Sequence, residues 1–122
     1  MFRLGIIEES LEHDKTLELV KPYFSSQRIE NVQELGYPST WHINEYHVQD
    51  DKINELLDYL KEEVKPGWYI HAFSDHQLFV VLSGRIFSLP LQRDNTWNEM
   101  IEYGVEKANV GRHFIENVTL DI

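Results

Sequence analysis

The sequence predicts a single α+β domain that spans residues 1–122. This length falls in the range of one domain and is enough for a hydrophobic core without metal ions or disulfides. The composition is typical of a globular protein, since 42% of the residues are hydrophobic and 12% are aromatic. Segments with helical spacing of apolar residues occur among short apolar and aromatic segments, which indicates both helices and strands.

The first third of the chain is predicted to form a strand, a helix and a second strand. Residues 2–7 are largely apolar, as a short strand would be. Ser10 can cap a helix that continues to Pro22, where the missing backbone N–H ends it. Residues 28–32 are predicted as a second strand, and the glycine and proline between residues 33 and 40 indicate a loop.

The middle of the chain contains the clearest amphipathic helix. Residues 41–48 are rich in aromatic and β-branched side chains and predict a strand. Asp50 and Asp51 then provide an N-cap and negative charge for the first turn of a helix. Apolar residues follow at spacings of three and four, and Pro66 ends the helix. These apolar residues are Ile53, Leu56, Leu57, Leu60 and Val64.

A β-meander and another helix are predicted after Pro66. Three apolar segments are separated by turn-forming residues, which indicates three consecutive antiparallel strands. They are residues 67–73, 78–82 and 85–89. Thr96 and Glu99 have the spacing of a capping box, so a helix is expected to begin there and to continue to about Lys107. Residues 114–122 are expected to add an edge strand or an ordered tail.

The first six predicted elements follow the order β-α-β-β-α-β, which matches the ferredoxin-like arrangement. We therefore predict a ferredoxin-like βαββαβ core extended by a β-meander and a C-terminal helix. Residues 78–82 are apolar on both faces, so both faces of the sheet need a cover. The C-terminal helix or a second copy of the chain can supply it, and a homodimer through the sheet is therefore one expectation.

The charge argues against two classes of partner. The chain carries 21 acidic and 11 basic residues, a net charge of −10, and the basic residues are scattered. Because neutralising phosphates drives nucleic-acid binding, we expect no nucleic-acid partner and no anionic membrane surface. The apolar start of the chain is too short for a signal peptide, and no apolar run reaches the length of a membrane helix. We expect a cytoplasmic protein.

Motifs of metal, cofactor and nucleophile chemistry are absent from the sequence. The chain has no cysteine, no His-Glu-x-x-His pair, no Gly-x-Ser-x-Gly elbow and no glycine-rich phosphate loop. His42 and His47 lie in one predicted strand, but their odd spacing points the two imidazoles to opposite faces. We therefore predict no metal site, no cofactor and no catalytic residue.

A group of polar side chains on the sheet is the best candidate for a ligand site. His42, Asn44 and Tyr46 alternate along one predicted strand and therefore share a face. Tyr69 and His71 share a face of another predicted strand. If all five point to one side, they present hydrogen-bonding groups among aromatic side chains, as in small-molecule pockets. The alternative is that the histidines are partly buried and bond only to their neighbours in the fold.

Several segments resemble a family of short uncharacterised bacterial proteins. The segments are Gly-Trp-Tyr-Ile-His-Ala-Phe at 67–73, Leu-Phe-Val-Val-Leu at 78–82 and Thr-Trp-Asn-Glu-Met-Ile-Glu-Tyr-Gly at 96–104. Residues 5–10 and 41–47 are similar to the same family, so the resemblance covers most of the chain. It implies a bacterial cytosolic protein. Because the family has no established activity, the resemblance implies no catalytic residue.

Three functions remain open from the sequence. The favoured one is a non-enzymatic binding or interaction domain for a small metabolite or a protein, because catalytic motifs are missing. The second is a small-molecule enzyme that uses His71 or His42 as acid and base with Tyr46 or Tyr69 on one sheet face. The third is an acidic, decoy-type protein that binds a basic partner.

Overall fold

A computed structural model describes all 122 residues and shows a mixed α+β chain with six strands and four α-helices. The strands are β1 (Phe2–Ile7), β2 (Phe24–Asn31), β3 (Thr40–Val48), β4 (Ile70–Phe73), β5 (Leu78–Leu82) and β6 (Arg85–Leu89). The helices are α1 (Lys15–Val20), α2 (Ile53–Leu60), α3 (Trp97–Glu106) and α4 (Arg112–Ile115). The predicted α+β class is confirmed. No helix combines the length and the apolar character that crossing a membrane requires.

The six strands form one antiparallel sheet in the order β2-β3-β1-β4-β5-β6. β1 is central and pairs with β3 on one side and with β4 on the other. The remaining neighbours, β2 with β3, β4 with β5 and β5 with β6, are consecutive in the chain. The α1 connection therefore passes over β3, and the α2 connection passes over β1.

The first face of the sheet is covered by α1 and α2. Phe2, Leu4 and Ile6 of β1 point to this face and join one hydrophobic cluster with both helices. The apolar residues of α2, spaced three and four apart, are all buried there, as the sequence predicts. Burial of each such leucine or isoleucine contributes about 1.5–3 kcal/mol, so the local periodicity of α2 determines where the helix packs.

The second face of β4, β5 and β6 is covered by α3 and α4. β5 is buried on both sides, and its Leu78, Val80 and Leu82 join a second hydrophobic cluster with these helices. Gly104 of α3 lets α4 approach closely, because a β-carbon there would lie 2.9 Å from Cγ1 of Ile115. The C-terminal helices thus cover the apolar face of β5, and this face needs no second copy of the chain.

The helix caps differ from the predicted ones. Thr96 makes no side-chain capping bond to α3, because its hydroxyl donates to Asp94 Oδ1 at 2.5 Å. Glu99, the other half of the predicted capping box, pairs instead with Arg85 at 2.6 Å. The residue before α2 is Lys52, which also makes no side-chain cap. The predicted capping bonds at α3 are replaced by other partners of the same side chains.

Several elements differ from prediction in extent, among them β4, which begins at Ile70, and α2, which ends at Leu60, whereas the last segment follows one of its two predicted alternatives. β2 extends over Phe24–Asn31 and so begins earlier than the predicted strand at 28–32. Ser10 does not begin a long helix, because its hydroxyl donates to the Ile7 carbonyl oxygen at 2.6 Å, and α1 begins later. After α4 the chain ends in an ordered tail without strand pairing.

Candidate functional site

A cavity of about 170 Å³ lies on the second face of the sheet where β3, β1 and β4 run side by side. Gly5 of β1, Ile43 of β3 and His71 of β4 line it from the sheet. Phe114 of α4 and residues of the tail line it from the C-terminal part of the chain. The cavity is therefore built between the central strands and the segment that follows α3.

An aromatic cluster of four side chains lines the cavity. Its members are Tyr37, Trp41, Trp68 and Phe114. The ring centroids of Trp41 and Trp68 are 4.9 Å apart, and those of Tyr37 and Trp68 are 5.1 Å apart. The Tyr37 hydroxyl donates to the Gly67 carbonyl oxygen at 2.7 Å, and Trp41 Nε1 donates to that of Pro38 at 2.8 Å. These bonds fix two of the rings and add rigid, apolar walls.

Gly5 provides the space in which the His71 ring lies. The two residues are cross-strand partners in β1 and β4. A β-carbon at position 5 would lie 3.0 Å from His71 Cε1 and 3.1 Å from Cγ1 of Ile122, closer than such groups normally pack. A glycine inside a strand often marks a close approach of this kind. Glycine is therefore required here by the histidine and by the tail.

His71 presents a neutral imidazole to the cavity. Its Nε2 lies 3.0 Å from the Asp121 main-chain oxygen, which can only accept, so Nε2 carries the hydrogen. Burial lowers the pKa of His71, which keeps the ring uncharged at neutral pH. Nδ1 is then an unprotonated acceptor, and it has no hydrogen-bond partner in the protein. A ligand that carries a donor can bind to this atom.

Tyr69 supplies the second free polar group. Its ring stands edge-on to that of His71, with centroids 5.8 Å apart. Burial raises the pKa of Tyr69 to about 12, so the hydroxyl is protonated at neutral pH. This hydroxyl also has no partner in the protein. The cavity thus combines aromatic walls with one free acceptor and one free hydroxyl.

The tail, residues 119–122, closes one side of the cavity. The Arg28 guanidinium donates to the Ile122 main-chain oxygen through Nε at 3.3 Å and Nη2 at 3.2 Å. Asp121 Oδ1 lies 3.7 Å from Arg3 Nη2, and the Asp121 main-chain oxygen holds His71. Contacts from β1, β2 and β4 therefore fix the position of the tail.

The other predicted site residues lie on the first face, where His42 bonds to Glu9 and Asn44 bonds to Glu8 and Tyr46. His42 Nδ1 and Glu9 Oε2 are 2.6 Å apart, and the His42 backbone N–H donates to Glu9 Oε1 at 2.7 Å. Asn44 Nδ2 donates to Glu8 Oε2 and to the Tyr46 hydroxyl, both at 2.9 Å. These bonds join β3 to the turn that follows β1.

Protonation in this network follows from its hydrogen bonds. The bond to Glu9 raises the pKa of His42. Burial alone would raise the pKa of Glu9, but the bonds from His42 outweigh it and lower that pKa. Burial raises the pKa of Tyr46. The His42–Glu9 pair therefore favours the charged forms of both groups and stabilises the turn.

The five predicted site residues are thus divided between the two faces of the sheet. Tyr69 and His71 line the cavity, whereas His42, Asn44 and Tyr46 lie on the opposite side. The strand register is the reason. Leu4 of β1 stands opposite Tyr46 and Ala72, and the next residue, Gly5, stands opposite Glu45 and His71. The side chain of His71 therefore points to the face opposite to that of His42, Asn44 and Tyr46.

The aromatic cluster and the tail were not among the predicted site residues. Trp41 and Trp68 fit a core equally well, and Phe114 lies in a segment with no clear periodicity. One signal was available, since Tyr37 and Trp68 each follow a glycine, Gly36 and Gly67, both with positive φ. A large aromatic side chain directly after such a turn glycine is not explained by the alternation of a strand, and it therefore indicates another role.

The described chain places no three His, Asp or Glu side chains where they could hold a metal ion together. The chain matches no protein-family model, no curated protein and no solved structure. Its resemblance to a bacterial family therefore stays a prediction.

Proposed function

We propose that this protein is a binding domain for a small, flat, partly apolar molecule that carries a hydrogen-bond donor. One observation carries the proposal: the Tyr69 hydroxyl and His71 Nδ1 lie at an aromatic cavity, and neither atom has a hydrogen-bond partner in the protein. Both atoms are open to solvent, because no buried side-chain nitrogen or oxygen of the chain lacks a hydrogen-bond partner, and a ligand would take the place of water there.

The size of the cavity limits the ligand to about one ring. An engineered cavity of about 150 Å³ in another protein holds benzene, and the volume here is about 170 Å³. The flat rings of Trp41 and Trp68 favour a planar molecule. A nucleotide or a long acyl chain would exceed this space.

The polar groups limit the ligand further. Neutral His71 offers an acceptor at Nδ1, so the ligand needs an O–H or N–H. The Tyr69 hydroxyl can donate to the same polar group of the ligand. A ring with one hydroxyl or amino substituent satisfies both residues, whereas a hydrocarbon ring of equal size leaves them unpaired.

We also propose that the first six elements form a ferredoxin-like unit, with β5, β6 and the C-terminal helices as an extension. The strand order β2-β3-β1-β4, with both connecting helices on the first face, supports this assignment. In this description the C-terminal helices cover the helix-free side only from β4 onward, and the cavity lies between the unit and its extension.

Phenol and toluene test the proposal, because they have the same shape and only phenol carries a hydroxyl. Titration of the protein followed by amide NMR should shift Gly5 and Ile43 with phenol and much less with toluene. The Tyr69→Phe variant should bind phenol about fivefold more weakly, the cost of one hydrogen bond. Tyr59→Phe, on the exposed surface of α2, is the matched control and should bind like the wild type.

Native mass spectrometry of the protein purified from its own host complements the titration, since a co-purifying adduct would give the mass of the natural ligand. Equal shifts with phenol and toluene would contradict the proposal. So would phenol shifts confined to other parts of the surface, or a Tyr69→Phe variant with unchanged affinity.

A further inference from the structure

β2 forms one edge of the sheet, and no strand pairs with its outer side. All eight of its residues are exposed, and only β3 pairs with it. Proteins usually protect a long edge strand with proline, lysine or a covering loop. β2 contains neither residue, and its one irregularity lies near its beginning, at Phe24 and Ser26. A free edge of this length is suited to pairing with another strand.

The hydrogen-bond pattern shows which backbone groups of β2 are free. Val32 donates to the Ser39 carbonyl oxygen at 2.8 Å, so these two residues form a hydrogen-bonded pair. Hydrogen-bonded and non-hydrogen-bonded pairs alternate along an antiparallel ladder. The register places Ile29 opposite His42 in a non-hydrogen-bonded pair. The His42 N–H indeed bonds to Glu9 instead. The N–H and C=O of Ile29 therefore point outward.

The same alternation gives Gln27 and Asn31 outward backbone groups. An antiparallel strand centred on Ile29 would place residue 27 opposite residue 31 and residue 28 opposite residue 30. The outward groups at 27, 29 and 31 would then meet outward groups of an identical strand. The backbone of β2 is thus complementary to itself in this register.

The side chains are complementary in the same register. Arg28 would stand opposite Glu30 of the second copy, and Glu30 opposite its Arg28, in pairs where side chains approach most closely. Ile29, which is 59% exposed, would contact Ile29 of the second copy on the other face. Arg28 and Glu30 of one strand already pair with each other, so the dimer would exchange these contacts for two opposite-charge pairs across the edge and add one apolar pair.

We propose that two copies of this chain pair through β2, antiparallel and centred on Ile29, to form one continuous sheet of twelve strands, twice the six of one copy. The partner strand at the free edge is β2 of a second copy, because the outward backbone groups and the charges of Arg28-Ile29-Glu30 match those of an identical antiparallel strand. This dimer uses the sheet edge and leaves both sheet faces uncovered, and it engages Arg28, which also holds the tail beside the cavity.

Analytical ultracentrifugation over a range of protein concentrations tests the dimer. The wild type should change from monomer to dimer as the concentration rises. Arg28→Glu places a carboxylate opposite Glu30 of the second copy and should weaken association at least tenfold. Adding Glu30→Arg to this variant restores opposite charges in both pairs and should restore the dimer. Arg85→Glu, a charge reversal at the other edge strand, should associate like the wild type.

Ile29→Pro provides a second test that does not depend on charge. Proline removes the outward N–H but no hydrogen bond to β3, so the monomer should stay folded by circular dichroism while the dimer is lost. A wild type that stays monomeric at millimolar concentration would overturn the proposal. A dimer that survives both Ile29→Pro and Arg28→Glu would overturn it as well.

Discussion

At the scale of single residues, Gly5 connects the sheet to the cavity. Its neighbours Leu4 and Ile6 are fully buried on the first face, so Gly5 faces the second one. The missing side chain leaves room for the His71 ring and for Ile122. A single glycine thus determines whether the histidine and the tail can lie against the central strand.

Two histidines are expected to titrate on opposite sides of the ordinary pKa of 6.5. Burial lowers the pKa of His71, and the hydrogen bond to Glu9 raises the pKa of His42. A pH titration of the imidazole carbon-bound protons by NMR should therefore give a lower midpoint for His71 than for His42. Phenol binding should weaken as the pH falls and His71 becomes protonated, since Nδ1 then no longer accepts.

Glu9→Gln is the control for this titration. It removes the charge that favours protonated His42, so the His42 midpoint should fall, and His71 on the other face should not change. A midpoint of His71 above that of His42 in the wild type would show that the cavity is more hydrated than the structure indicates.

At the scale of elements, α3 is attached to the sheet by its apolar side. Met100 is fully buried in the second hydrophobic cluster, and Glu106 in the last turn is exposed. Met100→Ala should lower the free energy of unfolding by about 2–5 kcal/mol, because it removes buried methylene groups and leaves a cavity. Glu106→Ala should change it by less than about 0.5 kcal/mol.

Urea denaturation followed by tryptophan fluorescence measures both values. An effect of Met100→Ala as small as that of Glu106→Ala would mean that α3 is not firmly packed on the sheet. The result would also bear on the cavity, since the chain after α3 supplies Phe114 and the tail.

In contrast to α3, β2 has no face that packs against the hydrophobic core. Its ladder to β3 and the bonds from Gln27 Nε2 to Asn44 Oδ1 at 2.8 Å and to Glu8 Oε2 at 3.1 Å hold it in place. Because no residue of β2 is buried, its hydrophobic pattern is weak. This explains why only its second half was predicted.

At the scale of the whole molecule, the partly buried carboxylate of Glu45 is expected to make the stability of the fold sensitive to acid. Arg3 donates to both oxygens of Glu45 at 2.9 Å, and His47 Nε2 lies 2.7 Å from one of them. The bonds from Arg3, with a smaller effect from His47, lower the pKa of Glu45 from 4.5 to about 2. The charged form of Glu45 therefore stabilises the folded state.

The sign of the pH dependence follows from this lowered pKa. The stabilisation is fully present above the unfolded pKa of about 4.5 and is lost as the pH falls toward 2. We expect Glu45 to contribute on the order of 2 kcal/mol, less than the full shift implies because Arg3 is partly solvated. Urea denaturation at pH 7 and pH 3 should show a smaller loss of stability for Glu45→Gln than for the wild type. Equal losses would contradict this role.

The kinds of element, and the positions of most of them, could be predicted from the hydrophobic pattern alone. β5, β6 and α2 begin where the hydrophobic pattern predicts, because a period of two or of three to four residues directly reflects burial on one or both sides. The tyrosine and histidine of the cavity, Tyr69 and His71, were also among the predicted candidates.

Which candidate residues lie together depends on how the strands pair, and local patterns do not contain that information. Periodicity shows that His42 and His71 each point to one face of a strand, but it does not relate the faces of two strands that are 29 residues apart in the chain. The pairing of both strands with β1 sets that relation and separates the two histidines. The cavity likewise combines Gly5, Trp68 and the tail, because packing joins segments that share no local pattern.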